Sequence, residues 1–186
     1  NGDGRANLLT DIAAPIVIDA GQGIGSAQDY LTVDAPELTR ATATQGDVYL
    51  RMLRAVAGDT IEALQGSVMV DAAGDFTYAE VSAAGDLSVA SQGTLHIDNA
   101  NAGGDARFDA ASALTLGSVG AGDALIANAQ GAVAIGQARS GGGAKLDFHA
   151  RGHAILGRDG GHSGVAIRFI GLDHPDLDPG HDLDAA

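Results

Sequence analysis

The chain is predicted to be all-β, a solenoid of stacked coils about 19 residues long with three short strands per coil. Three observations predict it. First, a unit of the form Gly-Asp/Ser/Thr-apolar-x-apolar recurs along most of the sequence. Clear copies are GDVYL (46–50), GSVMV (66–70), GDFTY (74–78), GDLSV (85–89) and GTLHI (93–97). Looser copies are GDARF (104–108), SALTL (112–116), GDALI (122–126), GAVAI (131–135) and GHAIL (152–156). Each reads as a short strand of alternating residues opened by a turn. Second, short units start at positions 66, 85, 104, 122 and 142, and long units at 74, 93, 112, 131 and 152. One short plus one long unit therefore spans 19, 19, 18 and 20 residues. That is too short for a hairpin-built blade. It suits one turn of a solenoid, whose apolar face is buried only by the next turn. Third, there are 28 Gly, aromatics make up 4% and Trp is absent. Stacked coils need a turn at every corner, which Gly supplies cheaply, and Ala suits a narrow interior.

Taken in order, residues 1–30 read as an entry segment or first coils, 31–171 as β-helix repeats, and 172–186 as an acidic tail serving as cap or linker. Residues 45–64 also permit an amphipathic helix with Leu50, Leu53 and Val56 on one face. Gly46-Asp47 and Gly58-Asp59 bracket that stretch as repeat units, so the strand reading is preferred. The inward positions are the second and fourth after each unit start: Val48/Leu50, Val68/Val70, Phe76/Tyr78, Leu87/Val89, Leu95/Ile97, Ala106/Phe108, Leu114/Leu116, Ala124/Ile126, Val133/Ile135, Ala144/Leu146 and Ala154/Leu156. All are apolar. In a chain that is 45% apolar, a random pair would be so about one time in five. The unit at Gly58 breaks the rule, giving Thr60 and Glu62. A third strand is expected after each long unit, as at 80–84 and 117–121, making the coil triangular in section.

The chain has no Cys, so it has neither a disulfide framework nor thiolate chemistry. Its opening Asn1-Gly-Asp-Gly-Arg5 is no positively charged lead into an apolar segment, so it does not read as a signal peptide. No apolar run is long enough to span a bilayer, so membrane insertion is not expected. The net charge of −14 argues against nucleic acid as a partner, because phosphates would be repelled. The repeat favours one continuous solenoid. Its abrupt start and stop read as a piece of a longer polypeptide.

Residues 104–142, GDARFDAASALTLGSVGAGDALIANAQGAVAIGQARSGG, resemble the repeats of filamentous-haemagglutinin-like bacterial adhesins. Residues 24–33, IGSAQDYLTV, followed by GDVYL, resemble blocks common in very large bacterial surface exoproteins. The resemblance covers roughly residues 16–170 and is specific for architecture. It implies a right-handed parallel β-helix and a secreted or surface-displayed parent. No N-P-N-L or N-P-N-G motif of the export domain is present, so shaft or a shaft-like tip segment is expected.

Few residues suggest chemistry. The Gly-Asp pairs are expected to place Asp86, Asp105 and Asp123 at one corner of successive coils. Each then caps backbone N–H groups of its turn, or the file forms a Ca²⁺ ladder of oxygen ligands. The G-G-x-G-x-D nonapeptide of calcium β-rolls is absent. Residues 1–4, NGDG, resemble part of a calcium loop, without an acid at the closing position Thr10. The tail 172–184 carries two His and five Asp, and reads as solvated rather than as a metal site. His149-x-x-x-His153 has zinc spacing for a helix, which a β-helix corner would not preserve. Arg and Lys are scattered, no acid pair sits among aromatics, and no Ser lies in a G-x-S-x-G elbow. Catalysis is not expected, and no cofactor is implied beyond the candidate calcium.

The expected function is a structural and adhesive segment of a secreted or surface-displayed bacterial adhesin, mediating attachment, cell–cell contact or biofilm. Its partners would be a receptor on a host or neighbouring cell or an extracellular glycan, together with the adjoining β-helix of the parent chain. The alternative is a glycan-binding or glycan-degrading β-helix. An ice-binding face would need ranks of Thr. The expected outward residues Ser88, His96, Arg107, Thr115, Leu125 and Ala134 form none.

Overall fold

The computed structural model describes residues 7–11, 14–141, 146–150, 154–159 and 167–169, with side chains described for the first two of these ranges. Among them there is no helix. The chain is a parallel β-solenoid whose coils alternate a short strand with a long one. The short strands Val48–Met52, Val68–Ala72, Leu87–Ser91, Ala106–Ala110, Leu125–Ala129 and Leu146–Ala150 stack in sequence order. Leu8–Leu9 and Leu31–Asp34 lie before them and Ile167–Phe169 after them. The long strands Val56–Ala63, Phe76–Ala83, Leu95–Ala102, Leu114–Ala121 and Val133–Ser140 form the second sheet. It continues to Arg40–Ala43 and Val17–Ala20 at one end and to Ala154–Asp159 at the other. The segment 45–64, which also permitted a helix, holds two strands instead. The first of them, Val48–Met52, alternates buried and outward residues along its length.

The expected third strand is the second half of each long one. Pairing between long strands skips their fourth residue, at Ala79, Asp98, Gly117 and Gly136. In Phe76–Ala83 the first and third residues are buried, the fourth and fifth exposed, and the sixth and eighth buried again. Alternation changes phase there, as two straight legs meeting at a corner require. Each coil thus has three legs.

The interior consists of side-chain files running from coil to coil. Val48, Val68, Leu87, Ala106 and Leu125 form one file, and Leu50, Val70, Val89, Phe108 and Ala127 the next. Across the cavity run Val56, Phe76, Leu95, Leu114 and Val133. All of these residues are buried, and in the first two files volumes compensate where Ala enters. Phe108 lies between Val89 and Ala127, while Ala106 lies between Leu87 and Leu125. Where the legs converge small residues stack, as in the buried file Ala63, Ala83, Ala102, Ala121, Ser140. Each fully buried Leu, Ile or Phe contributes about 1.5–3 kcal/mol, so the core is built from many equal increments. The buried Ser91 is satisfied locally. Its hydroxyl faces the Gly74 and Thr94 carbonyls at 2.9 and 3.2 Å and accepts the Gly93 N–H at 3.1 Å.

Two expected registers are corrected. Ala124 and Ile126 do not point inward; Leu125, Ala127 and Ala129 do, one residue later, so Leu125 is not an outward residue. The pair Gly122-Asp123 looks like the pair Gly104-Asp105, but Gly122 in fact follows Gly103 in the stack. A side chain at Gly122 would strike the Gly103 carbonyl, and one at Gly103 the Ala84 carbonyl. Between Val48 and Ala150 coil length varies only in the link from a long strand to the next short one. Residues 64–67 give four, 84–86, 103–105 and 122–124 give three, and 141–145 give five. Likewise Gly58 opens no unit: the strand starts at Val56, and Ile61 and Ala63 point inward in place of Thr60 and Glu62. Gly58 stands opposite Tyr78, and a Cβ there would come within 2.6 Å of the Tyr78 ring. The space its missing side chain leaves is taken by the buried Tyr78, which stacks on Phe76 at 4.5 Å and donates to the Leu38 carbonyl at 2.9 Å. The interior positions Ala144, Leu146, Ala154 and Leu156 lie outside the described side chains.

Candidate functional site

The corner that opens each short strand carries the acidic residues singled out from sequence. Asp86 and Asp105 occupy equivalent positions in successive coils, because Leu87 pairs with Ala106. The next equivalent residue is Ala124, since Ala106 pairs with Leu125, and Asp123 stands one position before the file. The file begins earlier, with Asp47 and Ser67. Its side chains are acceptors for the coil that follows. Asp47 Oδ1 accepts the Ser67 N–H at 2.8 Å, and Ser67 Oγ the Asp86 N–H at 3.0 Å. Asp86 Oδ1 accepts the Asp105 N–H at 3.0 Å, and Asp105 Oδ1 the Ala124 N–H at 2.9 Å. The file ends at Ala124, which has no side-chain acceptor. At the other end of the short strands Asp75 Oδ1 accepts the Thr94 N–H at 2.7 Å. Corners interrupt the strand ladder, and these carboxylates satisfy backbone donors that pairing would otherwise leave open. Among the described residues no group of three or more His, Cys, Asp or Glu is placed to hold a metal ion. The tail 172–184, residues 1–4 and the His149 and His153 side chains lie outside the described residues.

Three of the arginines, Arg40, Arg54 and Arg107, are held by carboxylates. Arg40 grips both oxygens of Asp19 at 3.1 and 2.6 Å, which raises the guanidinium pKa mainly through those hydrogen bonds. Arg54 bonds Asp34 and, at 3.0 Å, Asp11, and is raised in the same way. Arg107 bonds Asp109 on its own strand at 2.6 and 3.2 Å, and Asn128 donates to the same carboxylate at 2.6 Å.

A different constellation forms on the outer face of the short-strand sheet. Tyr30 meets Tyr49 edge to face at 5.4 Å, and the Arg51 guanidinium lies 5.1 Å above the Tyr30 ring. Both rings are half-buried. Burial pushes both phenols up, assisted by Asp71 at Tyr30 and by Asp47 at Tyr49. Arg51 faces Asp71 of the next coil at 3.8 Å, both side chains 49% exposed. Beside this pair runs a groove of about 330 Å³, lined by Arg51, Met52, Leu53, Asp71, Ala72, Ala73, Ala90 and Gln92. None of these residues was singled out from sequence for a binding role. Their one signal there is position, since Arg51, Asp71 and Ala90 each stand fourth in a short strand and so share one outward file.

Comparison with protein-family models, with curated proteins and with solved structures gives no match.

Proposed function

We propose that the chain is a structural and adhesive segment of a secreted or surface-displayed bacterial adhesin. The observation that carries the reading is the uninterrupted stacking of parallel coils, 19 to 25 residues apart, into two sheets that run the length of the described chain. Coils spaced about 4.8 Å apart form a stiff rod that projects a surface in one dimension. The resemblance of residues 104–142 to adhesin repeats supports the same role, as do broad outer faces occupied by Thr, Ser, Asn, Gln and Asp side chains. Its partners are a cell-surface receptor or an extracellular glycan, and the adjoining β-helix of a parent chain.

Beads coated with the chain should bind bacterial or epithelial cells more than beads coated with an unrelated protein of equal negative charge. Equal binding by both would overturn the adhesive reading. Release of reducing sugar from a glycan panel would favour a glycan-degrading β-helix instead.

A further inference from the structure

We propose that the groove between Arg51, Asp71 and Gln92 binds one neutral sugar unit of a glycan chain. The proposal rests on the adhesive reading above and gives it a location. Leu53, Ala73 and Ala90 give the groove apolar surface and Arg51, Asp71 and Gln92 a polar rim, while Met52 and Ala72 are themselves buried in the core. In the outward file Arg51, Asp71, Ala90, Asp109, the small Ala90 leaves a notch between two carboxylates. A pyranose has the matching character, with C–H groups on its faces and hydroxyls around its edge. Each hydroxyl both donates and accepts. The rim offers a donor in Arg51, an acceptor in Asp71 and both in the Gln92 amide. Arg51 and Asp71 stand 3.8 Å apart, beyond direct hydrogen-bonding distance, and are half exposed. A hydroxyl inserted between them accepts from one and donates to the other. Arg51 is already seated on Tyr30, and Tyr30 on Tyr49, so little side-chain freedom is lost on binding.

Charge selects among ligands. The Arg51–Asp71 pair is locally neutral, while the whole chain carries −14. An anionic glycan is repelled by the chain's field. A neutral polyhydroxylated ligand meets no such penalty. About 330 Å³ lies at the lower end of small-molecule sites, so one ring is held, with the rest of the glycan running along the sheet.

The test is titration of the whole chain, by calorimetry and saturation-transfer NMR, with neutral gluco-, galacto- and manno-oligosaccharides, a sulfated oligosaccharide and a lysine-rich peptide. At least one neutral oligosaccharide should bind at micromolar to millimolar concentration. Asp71→Asn should weaken it about tenfold and Gln92→Ala less. Ala90→Phe, which fills the notch from an outward position, should abolish it with the melting temperature unchanged. Failure of every neutral oligosaccharide to bind at millimolar concentration, tighter binding of the sulfated sugar or the peptide, or retained binding in Ala90→Phe would each overturn the proposal. Bead adhesion measured on the same variants separates the two readings. Adhesion that survives when no sugar binds sinks the groove and leaves the adhesive role standing. Sugar binding by a chain whose beads do not adhere does the reverse.

Discussion

Tyr78 shows how one residue depends on the coils around it. It crosses the space left by Gly58 to reach a carbonyl 40 residues away, two coils back. Burial raises its pKa well above the ordinary value near 10, with Asp59 and Glu37 adding to the shift. The folded state therefore holds the proton when the unfolded state has lost it. Stability from the neutral phenol is intact below about pH 10 and falls as pH rises from there toward the folded value. Tyr78→Phe should cost about 1 kcal/mol at neutral pH, for the lost hydrogen bond. It should also flatten the alkaline fall, which chemical denaturation as a function of pH would measure. An unchanged alkaline slope would mean that another group drives it. Leu116 makes the contrasting case. It is 1% exposed between Ile97 and Ile135, so Leu116→Asp buries a charge without a partner and should cost several kcal/mol. Its outward neighbour Thr115→Asp should change the denaturation midpoint little. Equal midpoints for the two variants would contradict the register.

At the scale of the element, the corner file Asp47, Ser67, Asp86, Asp105 acts as a side-chain continuation of the strand ladder. Each member accepts from the equivalent residue one coil on, across about one strand spacing. Asp105→Ala should cost about 1 kcal/mol by orphaning the Ala124 N–H. Asp105→Asn retains an acceptor oxygen and should cost less, and Asp123→Ala, outside the file, should be close to neutral. Thermal melts of the three variants would rank them. Calcium and magnesium at matched ionic strength should raise the melting temperature of the parent equally, through screening of the acidic surface. A larger response to calcium, abolished by Asp105→Asn, would instead establish the calcium ladder.

At the scale of the whole molecule, each coil pairs its strands only with its two neighbours, and few side chains, such as Tyr78 and Arg54, reach one coil further, so stability is close to a sum of coil and interface terms. Central coils are paired on both sides. Leu8–Leu9 and Val17–Ala20 each pair on one side alone, with Leu31–Asp34 and Arg40–Ala43. Native-state hydrogen exchange should therefore be slowest in Leu87–Ser91, Leu95–Ala102 and Ala106–Ala110, and grade to fast at Leu8–Leu9 and Val17–Ala20. Uniform protection along the chain would show that the solenoid opens as one unit.

The amino-acid sequence by itself determined the solenoid, its period and most of its interior. Alternation within a five-residue strand is local, and the turn residues that open each strand are local too. Val68, Val70, Phe76, Tyr78, Leu87, Val89, Leu95 and Ile97 are buried where that alternation places them. Register across the corners was decided only in three dimensions. Gly122-Asp123 matches Gly104-Asp105 as a dipeptide, yet stacking sets Leu125 beside Ala106 and Ala127 beside Phe108, so that large and small residues alternate between these two files at that point of the stack. Of the acidic file only Asp86 and Asp105 were legible, Asp123 standing outside it, and the hydrogen-bond partners were not legible, since each amide lies 19 or 20 residues further along the chain. The groove was not legible at all. Arg51, Asp71, Ala90 and Gln92 carry no common motif, and only the stacking of three coils sets them around one space.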